Sequence, residues 1–377
     1  MRPCLRAGCP FAATWHATHC CARCVAHGQH GPYCDHRPIG THFGECQDNH
    51  SFPRVTGLWP RESPEKILPN GTIVQECFID SPHGQRSYLL HRPRSTAPPP
   101  TAYVVCFHGS GGSPDYHVSE WAHLVAAGAV VGVYARGLHR GWTLGEVPLC
   151  MSDPQVAAAI SFVESMIKDV EARVPQLAAG PNQSGAVRFA HGFSAGAGMV
   201  QLLACLRPAL FVAGSAFATQ LREGQRPQSG PIHMLQVCGV NDDIIPYHGG
   251  LSSHARKSFE HAERSAQLWA EHNQCKVPPA VRQGAAGTLF SWEGSAAGGP
   301  RVVHLGLREV GHGILAVARQ LEDAELGLSQ STGGLLGLVW EFYRAAAAAP
   351  LALPAFPAQF PLSGGNHPRD GQPGATV

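Results

Sequence analysis

The stretch AVRFAHGFSAGAGMVQLLACL (186–206) decides how the rest of the chain is read. Ala186–Ala190 has the composition of a buried strand, and Gly198–Leu206 that of a helix. Between them lies Gly192-Phe193-Ser194-Ala195-Gly196, a G-x-S-x-G pattern. A serine on a sharp strand-to-helix turn exposes its hydroxyl, and flanking glycines remove side chains that would collide there. The start of the following helix favours developing negative charge. In a chain with 43 glycines the pattern alone is weak, and a glycine-rich structural turn is the competing reading. The strand–turn–helix context favours Ser194 as a nucleophile.

Working outward, short apolar runs alternate with helical patterns over residues 71–349. Ala102–Phe107 and Ala129–Tyr134 read as buried strands, with a helix at Val118–Ala127 between them. Val156, Ile160, Val163, Ile167 and Val170 recur at helical spacing within Pro154–Val174, and Asp153 stands at the N-cap. Strands are expected near Phe211–Phe217, Ile232–Cys238 and Arg301–Leu307, and helices at Ala262–His272 and Leu338–Ala348. Such alternation predicts an α/β domain with a mostly parallel central sheet flanked by helices. Its site would lie where the strands end.

A serine hydroxyl needs a base, and the base needs an orienting acid. Asp242 and Asp243 follow a strand end in CGVNDDIIP (238–246); a polar Asx turn is the competing reading for the pair, one of the two is favoured as the acid, and Asp242 is preferred to Asp243. His312, in VGHG (310–313), follows the last strand on a glycine-flanked loop. His248, His254 and His304 lie on less suitable elements. Backbone N–H groups for an oxyanion are expected from Ala195 and from Ser110, in the loop HGSGGS (108–113) after Ala102–Phe107. That loop lacks the Gly-Lys-Ser/Thr of a phosphate cradle.

These motifs together resemble the polyhydroxybutyrate depolymerase and feruloyl esterase group of α/β-hydrolases. The resemblance rests on AYVVCFHGSGGS (102–113), GFSAG (192–196), CGVNDDIIPYHGG (238–250), SAQLWAEHNQC (265–275) and EVGHG (309–313). It aligns the acid with Asp242. It implies the α/β-hydrolase fold and hydrolysis of a small-molecule or polymeric carboxylic ester through an acyl-enzyme. It implies no metal or organic cofactor for catalysis. Many relatives carry Trp-Pro after the histidine, where this chain has Gly313-Ile314-Leu315, and residues 314–337 are longer than expected, which bears on the substrate pocket. Two other readings stand beside this one. One is a peptidase or thioesterase on the same fold. The other is a zinc-dependent interaction protein carrying a degenerate hydrolase domain.

Composition sets the outer limits. Lys+Arg is 28 and Asp+Glu 27, a formal charge of +1, with 15% charged residues, which disfavours nucleic-acid partners. No apolar run reaches the ~20 residues of a membrane span, so no membrane partner is expected. Seven of 13 cysteines and seven of 22 histidines fall in residues 1–50, read as a small Cys/His-rich N-terminal module. Cys9, Cys20, Cys24 and Cys34 are candidate ligands of a structural zinc ion, with disulfides or an unstructured segment as alternatives. The other six cysteines lie in or near predicted core elements and read as small hydrophobes. Residues 51–70, with four prolines, read as a linker, and residues 350–377, with six, as a disordered Pro/Gly-rich tail. No secretory leader is visible, which slightly favours a cytoplasmic location, although members of the resembled group are often secreted.

Overall fold

The computed structural model describes residues 62–81, 84–94, 100–178, 186–296 and 298–348. The N-terminal module with Cys9, Cys20, Cys24 and Cys34, and the tail at 350–377, lie outside the described residues. The strands in chain order are β1 (Lys66–Ile67), β2 (Ile73–Ser81), β3 (Gly84–Arg92), β4 (Ala102–Phe107), β5 (Val131–Ala135), β6 (Val187–Phe193), β7 (Ala213–Phe217), β8 (His233–Gly239), β9 (Gly250–Leu251), β10 (Ser258–Phe259), β11 (Ala280–Gln283), β12 (Gly287–Trp292) and β13 (Val302–Leu307). The larger helices are α1 (Asp115–Ala126), α2 (Pro154–Arg173), α3 (Ala195–Leu206), α4 (Ala262–His272) and α5 (Leu335–Ala348).

Eleven of these strands form one sheet in the order β1-β2-β3-β5-β4-β6-β7-β8-β13-β12-β11. The six from β5 to β13 are parallel neighbours, while β1, β2 and β3 on one side and β12 and β11 on the other pair antiparallel. β4 sits between β5 and β6, so the chain reverses its direction of travel across the sheet there. That reversal opens a crevice at the strand C-termini, where ligands bind in open α/β sheets. β9 and β10 form a separate two-stranded ribbon.

The apolar strands still alternate between two cores. Tyr103, Val105 and Phe107 face one layer, with residues of α2, α3 and α4 such as Ile160, Leu203 and Trp269. Val104 and Cys106 face the other, with Trp121 of α1 and Val339 and Tyr343 of α5. The period of two is therefore present but hidden, because both faces are buried. α2 buries all five of its predicted apolar residues, and the Asp153 side chain accepts the Gln155 N–H at 2.8 Å as its cap.

The sequence reading finds the parallel strands and the large helices to within a few residues. It misses the hairpins β2–β3 and β11–β12, and it places Lys66–Ile67 in the linker, although these residues pair with β2. Cys77, Cys106, Cys205 and Cys238 are buried as expected, but Cys150 is exposed, because it sits on a loop before α2. Residues 314–337 contain a one-turn helix at Ile314–Val317 and two 3₁₀ turns, and they bury Ile314, Leu326 and Leu328 against the α1/α5 side of the sheet. Among the described residues, no helix is long and apolar enough to cross a membrane.

Ile160 is 1% exposed in the α2 layer, whereas Val281 on edge strand β11 is 50% exposed. Ile160→Ala should cost about 2–5 kcal/mol and Val281→Ala within about 0.5 kcal/mol in denaturant melts. Equal losses would contradict this packing.

Candidate active site

The site is assembled from the ends of β4, β6, β8 and β13. Ser194 follows β6 directly, with φ 54° and ψ −121°, a conformation costly for a side chain bearing Cβ. The surrounding backbone enforces it. Ser194 N–H donates to the Phe217 carbonyl at 2.8 Å, and Gly198 N–H to the Ser194 carbonyl at 3.0 Å. A Cβ at Gly192 would lie 2.3 Å from the Gly196 oxygen, and one at Gly196 only 1.9 Å from the Phe107 oxygen. Both glycines are thus required by space.

Asp242 and His312 come to Ser194 on two loops joined by backbone, with Asn241 N–H donating to the Val310 carbonyl at 3.0 Å. His312 Nε2 lies 2.9 Å from Ser194 Oγ, and its Nδ1 lies 2.8 Å from Asp242 Oδ2. The second Asp242 oxygen accepts the N–H groups of Ile244 at 2.9 Å and Ile245 at 2.8 Å. Asp242 is buried and Asp243 exposed, so the local turn itself separates the two acids. Among the three rival histidines, His304 is buried against Tyr247 and Gln236, and His248 pairs with His261. His254 lies at the cleft rim.

The loop after β4 is braced on both sides. His108 Nε2 accepts the Gly137 N–H at 3.0 Å, so its Nδ1 carries the hydrogen and donates to the Gly109 carbonyl at 2.8 Å. Trp142 Nε1 donates to the His108 carbonyl at 2.7 Å, and Gly111 N–H to the Arg140 carbonyl at 2.7 Å. Ser110 stands between these anchors and lines the same cleft as Ser194 and Ala195. The cleft has a volume of about 540 Å³. Trp142, Leu144, Ile244, Ile245 and Phe259 supply its apolar lining. No residue of 314–337 lines it.

Three lining features have no counterpart in the sequence reading. Arg222 is buried and donates to the carbonyls of Gly145 at 2.8 Å and Leu144 at 3.0 Å, which holds the loop carrying Trp142 and Leu144 over the serine. Thr219 Oγ1 lies within hydrogen-bond distance of two carbonyls, 2.6 Å from that of Ala218 and 2.9 Å from that of Ser194. Lys257 reaches both carboxylate oxygens of Glu146, at 2.6 and 2.7 Å, on the cleft rim. These residues come from three separate segments, and no local motif marks them.

Sheet order and the serine turn define an α/β-hydrolase fold. No protein-family model matches the chain. The chain is similar to feruloyl esterase C of Emericella nidulans, at 28% identity over 274 residues, covering 69% of this chain and 84% of that protein. It is also similar to the protein named probable feruloyl esterase C of Aspergillus niger, at 31% identity over 176 residues, covering 44% of this chain and 58% of that one. These relatives bear out the feruloyl esterase-like resemblance carried by the motifs. Among solved structures, an acetyl xylan esterase from Aspergillus awamori superposes with a TM-score of 0.47 at 13% identity, covering 72% of this chain and 99% of that one.

Two predictions follow from the geometry. Gly196→Ala should displace the turn from the Phe107 carbonyl and remove reactivity toward a serine-directed fluorophosphonate. Undiminished labelling would refute the steric argument. Burial pushes the imidazole of His108 down to about 4, of His91 to about 4 and of His304 to about 3. Each is neutral in the fold and ionises near pH 6.5 once unfolded, so the unfolded chain binds more protons below that value. Stability should be full above about pH 6.5 and fall as pH drops toward 4 and 3. His108→Gln should flatten that acid limb in melts recorded against pH, and an unchanged limb would remove His108 from it.

Proposed function

We propose that the chain is a serine carboxylic-ester hydrolase acting through a Ser194–His312–Asp242 triad and an acyl-enzyme. The observation that carries this reading is the continuous contact from Asp242 Oδ2 through both His312 nitrogens to Ser194 Oγ. His312 Nε2 takes the hydroxyl proton as Ser194 Oγ attacks the ester carbonyl carbon. Asp242 holds the Nδ1–H tautomer and balances the imidazolium that forms. The backbone N–H groups of Ser110 and Ala195 receive the oxyanion, and His312 returns the proton to the leaving alcohol. A water activated by the same histidine then releases the acid and restores Ser194. The chemistry is complete with these groups and calls on no cofactor.

The aromatic and aliphatic lining suits a flat acyl group of the feruloyl kind, with Trp142 and Phe259 as its surfaces. The similarity to feruloyl esterase C supports the same substrate class. Ser194→Ala should lower turnover of methyl ferulate by roughly three or more orders of magnitude, with an unchanged melting temperature. Retained activity in that variant would overturn the triad. A matched panel of ester, thioester and anilide substrates tests the leaving group, and preference for the thioester or anilide would overturn the ester reading.

A further inference from the structure

A second cluster of titratable groups lies deeper than the triad and plays no part in it. His117 and Glu120 stand one turn apart on α1, and His191 stands on β6, three residues before Ser194. One ring nitrogen of each histidine and one carboxylate oxygen lie within 4.8 Å of one another. The side chains are 0%, 8% and 0% exposed, respectively for His117, Glu120 and His191. Trp121, Tyr134 and Phe217 enclose them with ring centroids 5.0–5.9 Å from the imidazoles.

Hydrogen-bond accounting shows what this cluster lacks. The Tyr343 hydroxyl donates to the Ala190 carbonyl at 2.7 Å. Ser215 must then give its single hydrogen to Tyr343, 2.6 Å away, and accept from His191 Nδ1 at 2.8 Å. The other nitrogen of a neutral His191 is therefore a lone pair, 3.3 Å from Glu120 Oε1. His117 Nδ1 meets Glu120 Oε2 at 2.6 Å, which leaves His117 Nε2. Among the described residues, His117 Nε2, His191 Nε2 and Glu120 Oε1 are all buried without a hydrogen-bond partner. Leaving such buried atoms unpaired opposes folding. A proton on His191 would satisfy one contact and still leave His117 Nε2 bare. A cation accepts lone pairs from all three residues.

We propose that His117, Glu120 and His191 form a structural site for a divalent transition-metal ion of the zinc class, tying α1 to β6 beneath the serine turn. Two imidazoles and one carboxylate are a donor set that suits zinc, and they disfavour magnesium and calcium, which take oxygen ligands. The ion would be acquired during folding, since its ligands are sealed from solvent. It would stabilise the elbow rather than touch the ester, so this inference does not depend on the substrate class.

The cysteine-rich residues 1–50 supply thiolates of their own, so total zinc does not decide the matter. Full-length protein, folded with zinc and desalted, should show by X-ray absorption a zinc component with nitrogen and oxygen neighbours at about 2.0–2.1 Å and an imidazole signature, distinct from sulfur at about 2.3 Å. Glu120→Gln and His191→Gln should each hold one equivalent less than the wild type. Refolding with a chelator should lower the melting temperature of the wild type and leave that of Glu120→Gln unchanged. Should the variants fail to fold, the wild-type spectrum alone decides. Zinc bound wholly by sulfur, no bound zinc, or equal zinc in wild type and Glu120→Gln would overturn the proposal and leave a buried imidazolium–carboxylate pair.

Discussion

The backbone of Ser194 sets the terms for everything around it. A residue with a Cβ does not rest at φ 54° and ψ −121° unless its neighbours leave no alternative. Here β6 must end beside Phe217 on one side and the carbonyl of Phe107 on the other, with α3 starting at once. That arrangement exists only if β6 lies between β4 and β7 in a parallel sheet. The central strand order and the exposed hydroxyl are thus one constraint. The strain is held by contacts spread over the two faces of the sheet, where both cores are densely apolar.

The other groups are placed by polar contacts that rigidify loops rather than by apolar packing. His108, neutral because it is buried, joins the loop after β4 to Gly137. Trp142 both braces that loop through its indole N–H and forms a cleft surface. Arg222 does the same for the Leu144 segment, using backbone carbonyls in place of a carboxylate partner. In each case one side chain fixes a loop and shapes the cavity, so a change at one of these positions alters binding and backbone geometry together.

How legible each part was in the sequence follows from how local its cause is. The strands β4 to β8 and β13, the helix α2 and the serine turn carry their signals within a few consecutive residues. The hairpins β2–β3 and β11–β12 do not. β3 interleaves Arg86, Ser87 and His91 with its apolar residues, because its polar groups find partners such as Glu76 and Tyr134 on neighbouring strands. Such pairing is invisible along one segment. The sequence favours Asp242 over Asp243, and the resemblance aligns the acid with it, but the cause is visible only in the structure, where two N–H groups of the same turn hold Asp242 and leave its neighbour in solvent. His117-x-x-Glu120 does show helical spacing in the sequence, but its third member is contributed by a strand about seventy residues away.

This division has a consequence for function on this fold. The proposed reacting groups are read from short motifs because each must satisfy a strict local geometry. The surfaces that line the cleft come from Trp142, Leu144, Arg222, Ile244 and Phe259, which belong to different segments and meet only after folding. Their geometry depends on long-range anchors such as the Arg222–Gly145 contact. The segment after His312 packs on the α1/α5 face of the sheet, away from the cleft. In the proposed reading the chemistry rests on the turn at Ser194, and the preference on the loops around it.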